Sequence, residues 1–254
     1  MLSLSLLISC ISLDGSKDDV AYQDIPKAGN SYTFSLTEDE RSTLRAATPN
    51  SNTLGVKFYI KTVLGGTTGR SSAPATMSIV NANPTVSISV VDANSDTVAL
   101  TGNNKVLVAL HSTANVTVSA TANKCATIPS GGIKIVHGDS ILTGSGELSP
   151  VVNKPITFTV TDSRGNSVKG GVVGTLVPYF DPTIAIENAM PSASGEMTLN
   201  ATGKVFDGSF GKTQNSFSMK YRYRAGSGEY TDWIPFDSAT LDGNDYVATA
   251  AVTG

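Results

Sequence analysis

Two histidines, His111 and His137, and three consecutive acids, Glu38-Asp39-Glu40, are the residues of this chain whose types could carry hydrolytic chemistry. Nucleophilic hydrolysis needs a base held beside its nucleophile. Neither histidine stands in a G-x-S-x-G elbow or an H-E-x-x-H helix, and there is no phosphate-binding loop. Both read as surface or loop residues. The acids could flank a glycosidic bond, but the distance between two carboxyl groups decides that chemistry, and it depends on the fold. Thr37 and Glu40 are spaced as a capping box, with Glu38 and Asp39 in the first turn and Arg41 and Arg45 behind them. That order opposes a helix dipole at both ends, so the acids read as helix-end charges. Asp207, Asp232, Asp237, Asp242 and Asp245 lie mostly beside Gly, Ser or Asn, where aspartate serves turns.

The metal-binding patterns fail in the same way. Asp92-Ala93-Asn94-Ser95-Asp96 copies the first three ligand positions of a helix-loop-helix calcium loop. Thr97 then stands at the glycine position and Asn103 at that of the bidentate acid, so the segment reads as a hairpin turn. Asp181 and Glu187 are near enough in sequence for a calcium ion at a joint, but nothing selects one. No cofactor is expected. Cys10 and Cys125 are 115 positions apart and fall in different modules, so both read as free thiols, without the ligand spacing of a zinc site. Leu7-Ile8-Ser9-Cys10 also looks like the cleavage box of a bacterial lipoprotein, anchored through Cys10. No Lys or Arg precedes that short apolar stretch, and Leu2, Leu4, Leu6, Ile8 and Cys10 recur with period two. The strand reading is therefore preferred, and the chain reads as beginning inside a domain.

The elements that must carry these residues are strands. A segment recurs after 100 positions: Phe58-Tyr59-Ile60-Lys61-Thr62, Gly65 and an exit at Pro84 return as Phe158-Thr159-Val160-Thr161-Asp162, Gly165 and an exit at Pro182. That spacing matches one β-sandwich. The 254 residues suit two or three such domains, and 40% hydrophobic with 15% charged residues describes neither a disordered nor a membrane-spanning chain. With a net charge of -3 and no cluster of Lys and Arg, nothing would neutralise a phosphate backbone, so nucleic acid and membrane are not expected partners.

The sequence thus predicts an all-β chain of tandem immunoglobulin-like or fibronectin type III-like β-sandwich domains. Residues 1–81 form a first sandwich module, truncated at its start, with one short helix near 38–46 and turns at Asp14-Gly15 and Gly65-Gly66. Residues 82–179 form an immunoglobulin-like module with strands near Val86–Val91, Thr97–Leu100, Val106–Leu110, Asn115–Ala120, Gly132–Val136, Ile156–Val160 and Val172–Leu176. Residues 180–254 form a fibronectin type III-like module, incomplete at its end. Proline fixes φ and pushes the preceding residue to extended backbone, so Asn83-Pro84 and Asp181-Pro182 are the restrained interdomain joints.

In the last module Phe217–Arg224 reads as a strand, with Phe217, Met219, Tyr221 and Tyr223 on one side and Lys220, Arg222 and Arg224 on the other. The basic row suits an acidic polymer of the teichoic-acid kind, although basic residues on an outward face also protect sheet edges. Tyr230 and Trp233, across a Gly-Ser turn, could stack on sugars, but the alternation points them into the core.

Several stretches resemble one family. They are Tyr32–Leu36 followed by Thr48-Pro49-Asn50-Ser51, then Val80-Asn81-Ala82-Asn83-Pro84-Thr85, Val160-Thr161-Asp162-Ser163-Arg164-Gly165-Asn166, and Gly208-Ser209-Phe210-Gly211 leading into Tyr221-Arg222-Tyr223. In order and spacing they resemble siphophage minor structural proteins, the tail-associated polypeptides of phages infecting Gram-positive bacteria. The resemblance implies a noncatalytic virion component, a tail or tail-fibre spacer or adhesion segment. Its expected partners are other tail proteins, host cell-wall polysaccharide and copies of itself. The alternatives are a bacterial surface lipoprotein or adhesin with immunoglobulin-like repeats and, least supported, a glycan hydrolase.

Overall fold

The computed structural model describes residues 6–13, 19–25, 33–64, 67–80, 82–171, 174–187, 196–224 and 226–253. The turns expected at Asp14-Gly15 and Gly65-Gly66, the start of the strand expected from Leu2 and the side chain of Cys10 lie outside the described residues. In chain order the elements begin with β1 (Leu6–Leu13), β2 (Asp19–Ile25), α1 (Glu38–Ala46), β3 (Thr53–Leu64) and β4 (Thr67–Ser78). Then come β5 (Thr85–Asp92), α2 (Ser95–Thr101), β6 (Val106–Val108), β7 (Ala114–Thr121), β8 (Ile133–His137), β9 (Ser140–Leu142), β10 (Gly146–Leu148), β11 (Ile156–Thr161), β12 (Ser167–Gly171) and β13 (Thr175–Val177). The last group is β14 (Thr183–Glu187), β15 (Glu196–Lys204), β16 (Lys220–Tyr221), β17 (Ile234–Pro235), β18 (Ser238–Asp242) and β19 (Asp245–Thr253). The described residues are all-β apart from two short helices, α1 and α2.

The chain divides into two compact units, residues 1–88, 117–145 and 156–172 in the first, and 89–116, 146–155 and 173–254 in the second. The joint at Asn83-Pro84 therefore lies inside the first unit and that at Asp181-Pro182 inside the second.

In the first unit β2-β1-β3-β4 form an antiparallel sheet, with Cys10 opposite Tyr22 and Tyr59. The layer over that sheet is α1, where a sandwich reading of residues 1–81 anticipates a second sheet. The helix starts as its capping box predicts: the Thr37 N–H donates to Glu40 Oε2 at 2.7 Å and the Glu40 N–H to Thr37 Oγ1 at 3.3 Å. Leu44 is the buried residue of α1 and packs with Val56, Phe34, Leu36, Leu54, Phe58, Ala75 and Met77. The loop between β11 and β12 supplies Arg164, which is buried. Its guanidinium donates to the carbonyls of Arg45 and Thr48 at 3.0 Å each and of Lys124 at 2.6 Å. Arg45 and Thr48 bracket the end of α1, where unsatisfied carbonyls carry the negative end of the helix dipole.

The middle strands run in the orders β10-β7-β5 and β12-β11-β8-β9, with β13 paired to β6 in parallel. The chain changes sheet from β7 to β8 and again from β9 to β10 and β10 to β11, the strand order of an immunoglobulin-like sandwich. Here the expected strand at Thr97–Leu100 is corrected: those residues are helical, in α2. The Asn94 side chain caps it by accepting from the Asp96 N–H at 2.9 Å, and Gly102, at φ 69°, ends it. The segment read as a hairpin turn is thus a helix start, because Asn and Asp satisfy helical N–H groups as readily as turns.

In the second unit β14-β15-β19-β18 form an antiparallel sheet whose inner face buries Ala201, Tyr246, Ala248, Ala250 and Val252. The Tyr246 hydroxyl donates to the Thr183 carbonyl at 2.9 Å across Gly203, where a Cβ would stand 2.0 Å from that same oxygen. A second cluster buries Val108, Val177, Phe206 and Phe210, with Tyr179 and Phe180 packed against it. The long strand expected over Phe217–Arg224 pairs as a ladder only at Lys220–Tyr221, with Ile234–Pro235. Its alternation holds nonetheless: Phe217, Met219, Tyr221 and Tyr223 are half-buried, and Lys220, Arg222 and Arg224 are exposed.

Candidate functional site

The hairpin β16–β17 brings a charged row and two aromatic rings onto one surface. Tyr223 and Thr231 extend the hairpin beyond its ladder, since the Thr231 N–H donates to the Tyr223 carbonyl at 2.9 Å and the Tyr223 N–H to Thr231 Oγ1 at 3.2 Å. This pairing fixes Arg222 opposite the returning chain. The guanidinium carbon of Arg222 lies 4.6 Å from the ring centre of Tyr230 and 4.7 Å from that of Trp233, and Arg224 lies 5.0 Å from Tyr230. A guanidinium over an aromatic ring is attracted by the ring face and keeps planar N–H donors that suit an anion.

The placement of the aromatics in the core is corrected here. Trp233 is 58% and Tyr230 50% exposed. Tyr221 stands opposite Ile234 with both side chains half-buried, so alternation turns the next residue, Trp233, to the outward side that carries Arg222, and Tyr230 lies beyond the ladder. Glu229 and Asp232, also exposed, flank them in the same turn. The signal in the sequence was the pairing of Arg222 and Arg224 with aromatics across a short Gly-Ser turn. Of the basic row, the geometry brings Arg222 and Arg224 into this cluster, while Lys220 stands beside it in the ladder.

The other candidate residues take structural roles. Glu38 accepts from Arg45 Nη1 at 2.6 Å and Arg41 Nε at 2.9 Å, and these partners, Arg45 first, hold its carboxyl below the usual carboxylate range. Asp92 is buried and accepts from the Thr97 and Ser112 hydroxyls at 2.5 Å each and from the N–H groups of Asn94 and Thr113 at 3.0 and 3.2 Å. Its oxygens are thus occupied by protein donors. Among the described residues no cluster of three or more His, Cys, Asp or Glu side chains could hold a metal ion.

Of the two histidines, His111 is exposed, stacks edge-on against Tyr179 at 5.0 Å and lies 3.8 Å from Asp181. Burial, with the charge of Asp181 added, raises the Tyr179 hydroxyl above its usual pKa. His137, expected at the surface, is buried at the end of β8, because it alternates with Ile135 on the covered face of that strand. Cys125 is an exposed free thiol. Of the joint residues, Asn83 accepts from the Asn123 amide at 2.5 Å through its carbonyl, Pro84 is buried, and Asp181 and Pro182 are exposed. No helix among the described residues is long and apolar enough to cross a membrane.

No protein-family model matches this chain, and no curated protein matches it. Among solved structures it is similar to a chain of the crystal structure of Dpr2 Ig1-Ig2 in complex with DIP-Theta Ig1-Ig3. The match covers 97% of this chain and 79% of that one at 10% identity, with a TM-score of 0.31. A likeness that loose transfers nothing from that complex to this protein.

Proposed function

We propose that this chain is a noncatalytic spacer and adhesion segment of a phage tail that meets a host cell-wall polymer through the hairpin surface of Arg222, Arg224, Tyr230 and Trp233. The observation that carries the adhesion reading is the exposed cluster in which Arg222 lies over the rings of both Tyr230 and Trp233. Trp, Tyr and Arg dominate binding energy at interfaces, because they offer large area and directed hydrogen bonds at low entropic cost. The indole face suits a sugar ring, the two guanidinium groups suit a phosphodiester or carboxylate, and Glu229 and Asp232 can accept from hydroxyl groups. The tail assignment rests on the resemblance of the sequence stretches to siphophage minor structural proteins.

Co-sedimentation with purified Gram-positive cell walls tests this reading. The chain should pellet with intact walls and stay in solution with walls stripped of their phosphodiester polymer. Arg222→Ala and Trp233→Ala should each weaken binding at least tenfold. Equal binding by wild type and both variants, or none by the wild type, overturns the assignment of this surface.

A further inference from the structure

Two loops at one end of the middle strands, residues 122–132 between β7 and β8 and residues 162–166 between β11 and β12, are built as one piece. The Ser163 N–H donates to the Thr127 carbonyl at 2.8 Å, and the Thr127 N–H donates to Ser163 Oγ at 3.1 Å. Asp162, which is buried, shapes the second loop by accepting from the N–H groups of Arg164 and Asn166 at 2.9 and 2.8 Å and from the Asn166 amide at 2.9 Å. An aspartate that bonds the main chain just ahead of it holds a turn in place before any partner is met.

The paired loops aim donors at two stretches of the chain before β5. At the end of α1, Arg164 reaches the carbonyls of Arg45 and Thr48, and Ser163 Oγ donates to the Pro49 carbonyl at 2.5 Å. The side-chain amides of Asn52 and Asn166 exchange bonds at 2.9 and 3.1 Å. Between β4 and β5, the Lys124 ammonium donates to the Val80 carbonyl, and the Asn123 amide donates to the Asn83 carbonyl at 2.5 Å and to Thr85 Oγ1 at 3.3 Å. Both sides of the buried Pro84 are thus held from outside the connector. Lys124 and Cys125, consecutive at φ 53° and 65°, lie in the first of these loops. Residues with a Cβ keep that conformation where their surroundings over-determine it.

We infer that this array is a conformational clamp that locks the Asn83-Pro84 joint at one angle, and that the clamp, not the proline ring, sets the angle. Proline fixes one φ and restricts its predecessor but leaves the remaining torsions of the connector open. The clamp bonds join points 114 to 119 residues apart at α1 and 38 to 44 apart at the connector, so they oppose both bending and twisting. Three of the acceptors at α1 are main-chain carbonyls placed by the helix end, so the clamp closes only on a folded α1. In immunoglobulin-like sandwiches the loops of one end commonly meet other molecules. Here the loops β7–β8 and β11–β12 are taken up by the chain's own helix end and connector. The clamp residues all lie in the first compact unit and share none with the Arg222 surface.

Pulsed electron paramagnetic resonance on the full chain tests the clamp. Cys10 and Cys125 are replaced by serine, and spin labels are attached at Ser72→Cys on β4 and Lys134→Cys on β8, both exposed positions. The distance distribution should be single and narrow, and Pro84→Ala should leave its width unchanged. Arg164→Ala should at least double the width. Because the loss of Arg164 also destabilises the first unit, the combined change Ser163→Ala and Asn52→Ala is the second variant. It should widen the distribution while the far-ultraviolet circular dichroism stays that of the parent. A broad distribution in the parent, a widening by Pro84→Ala, or a width that the folded clamp variants leave unchanged overturns the inference.

Discussion

Arg164 Nε donates to the carbonyl of Thr48 at 3.0 Å although 116 residues separate them, and no carboxylate shares that guanidinium's contacts among the described residues. The cation is balanced by main-chain carbonyls, including those at the end of α1. Arg164→Ala leaves these acceptors buried without a donor and should cost on the order of 3 kcal/mol in urea unfolding. Arg164→Lys keeps the charge but loses the planar fork, and should recover only part of that stability.

The carbonyl that Lys124 offers to Arg164 depends on strained backbone. Lys124 and Cys125 are consecutive non-glycine residues at φ 53° and 65°. The left-handed region is unfavourable for a residue with a Cβ, and Cys125 is exposed. Cys125→Gly should therefore raise stability by about 0.5–1 kcal/mol in thermal or chemical unfolding. A loss of stability would show that the thiol's contact with Ser42, at 3.9 Å, outweighs the strain.

Asp92 ties α2 to the loop before β7 through four donors. Asp92→Ala should cost on the order of 3 kcal/mol, because two buried hydroxyls lose their common acceptor. Millimolar calcium or a chelator should leave the melting temperature of the wild type unchanged. A calcium-dependent rise in that temperature would mean that the ion displaces the hydroxyl partners.

Glu38 gives the acid dependence a sign. Its folded carboxyl is held below the ordinary value by Arg45 and Arg41, so its contribution is complete above the ordinary carboxylate pKa. That contribution is lost as pH falls through the lowered folded value. Glu38→Gln should flatten this part of the stability profile while leaving the profile above neutral pH parallel to the wild type. An unchanged acid limb would show that the pairs with Arg41 and Arg45 do not persist in solution.

Trp233 is the single tryptophan of the chain, which makes its exposure directly readable. Its fluorescence should be red-shifted and open to quenching by acrylamide and iodide, and Arg222→Ala should change the emission while costing no more than about 1 kcal/mol in stability. A blue-shifted, unquenched emission would return the indole to the core.

Alternation of apolar and polar side chains marked strands such as β3, β5, β7 and β11, since period two is written in single residues and needs no partner, whereas β9, β10, β12, β18 and β19 were not read from it. The capping box at Thr37 and Glu40 was legible for the same reason, because its contacts span three residues. Thr97–Leu100 was misread because a β-rich stretch looks alike as a strand or a short helix, and the choice fell to Asn94 and Gly102 at its ends. The covering of the first sheet by α1, the burial of His137 and the gathering of the Arg45, Thr48 and Lys124 carbonyls around Arg164 were decided only by tertiary structure. So was the meeting of Arg222 with Tyr230 and Trp233. Each is a contact between segments whose separation in the chain carries no record of their distance in space, and only the packing of whole sheets fixes which of them touch.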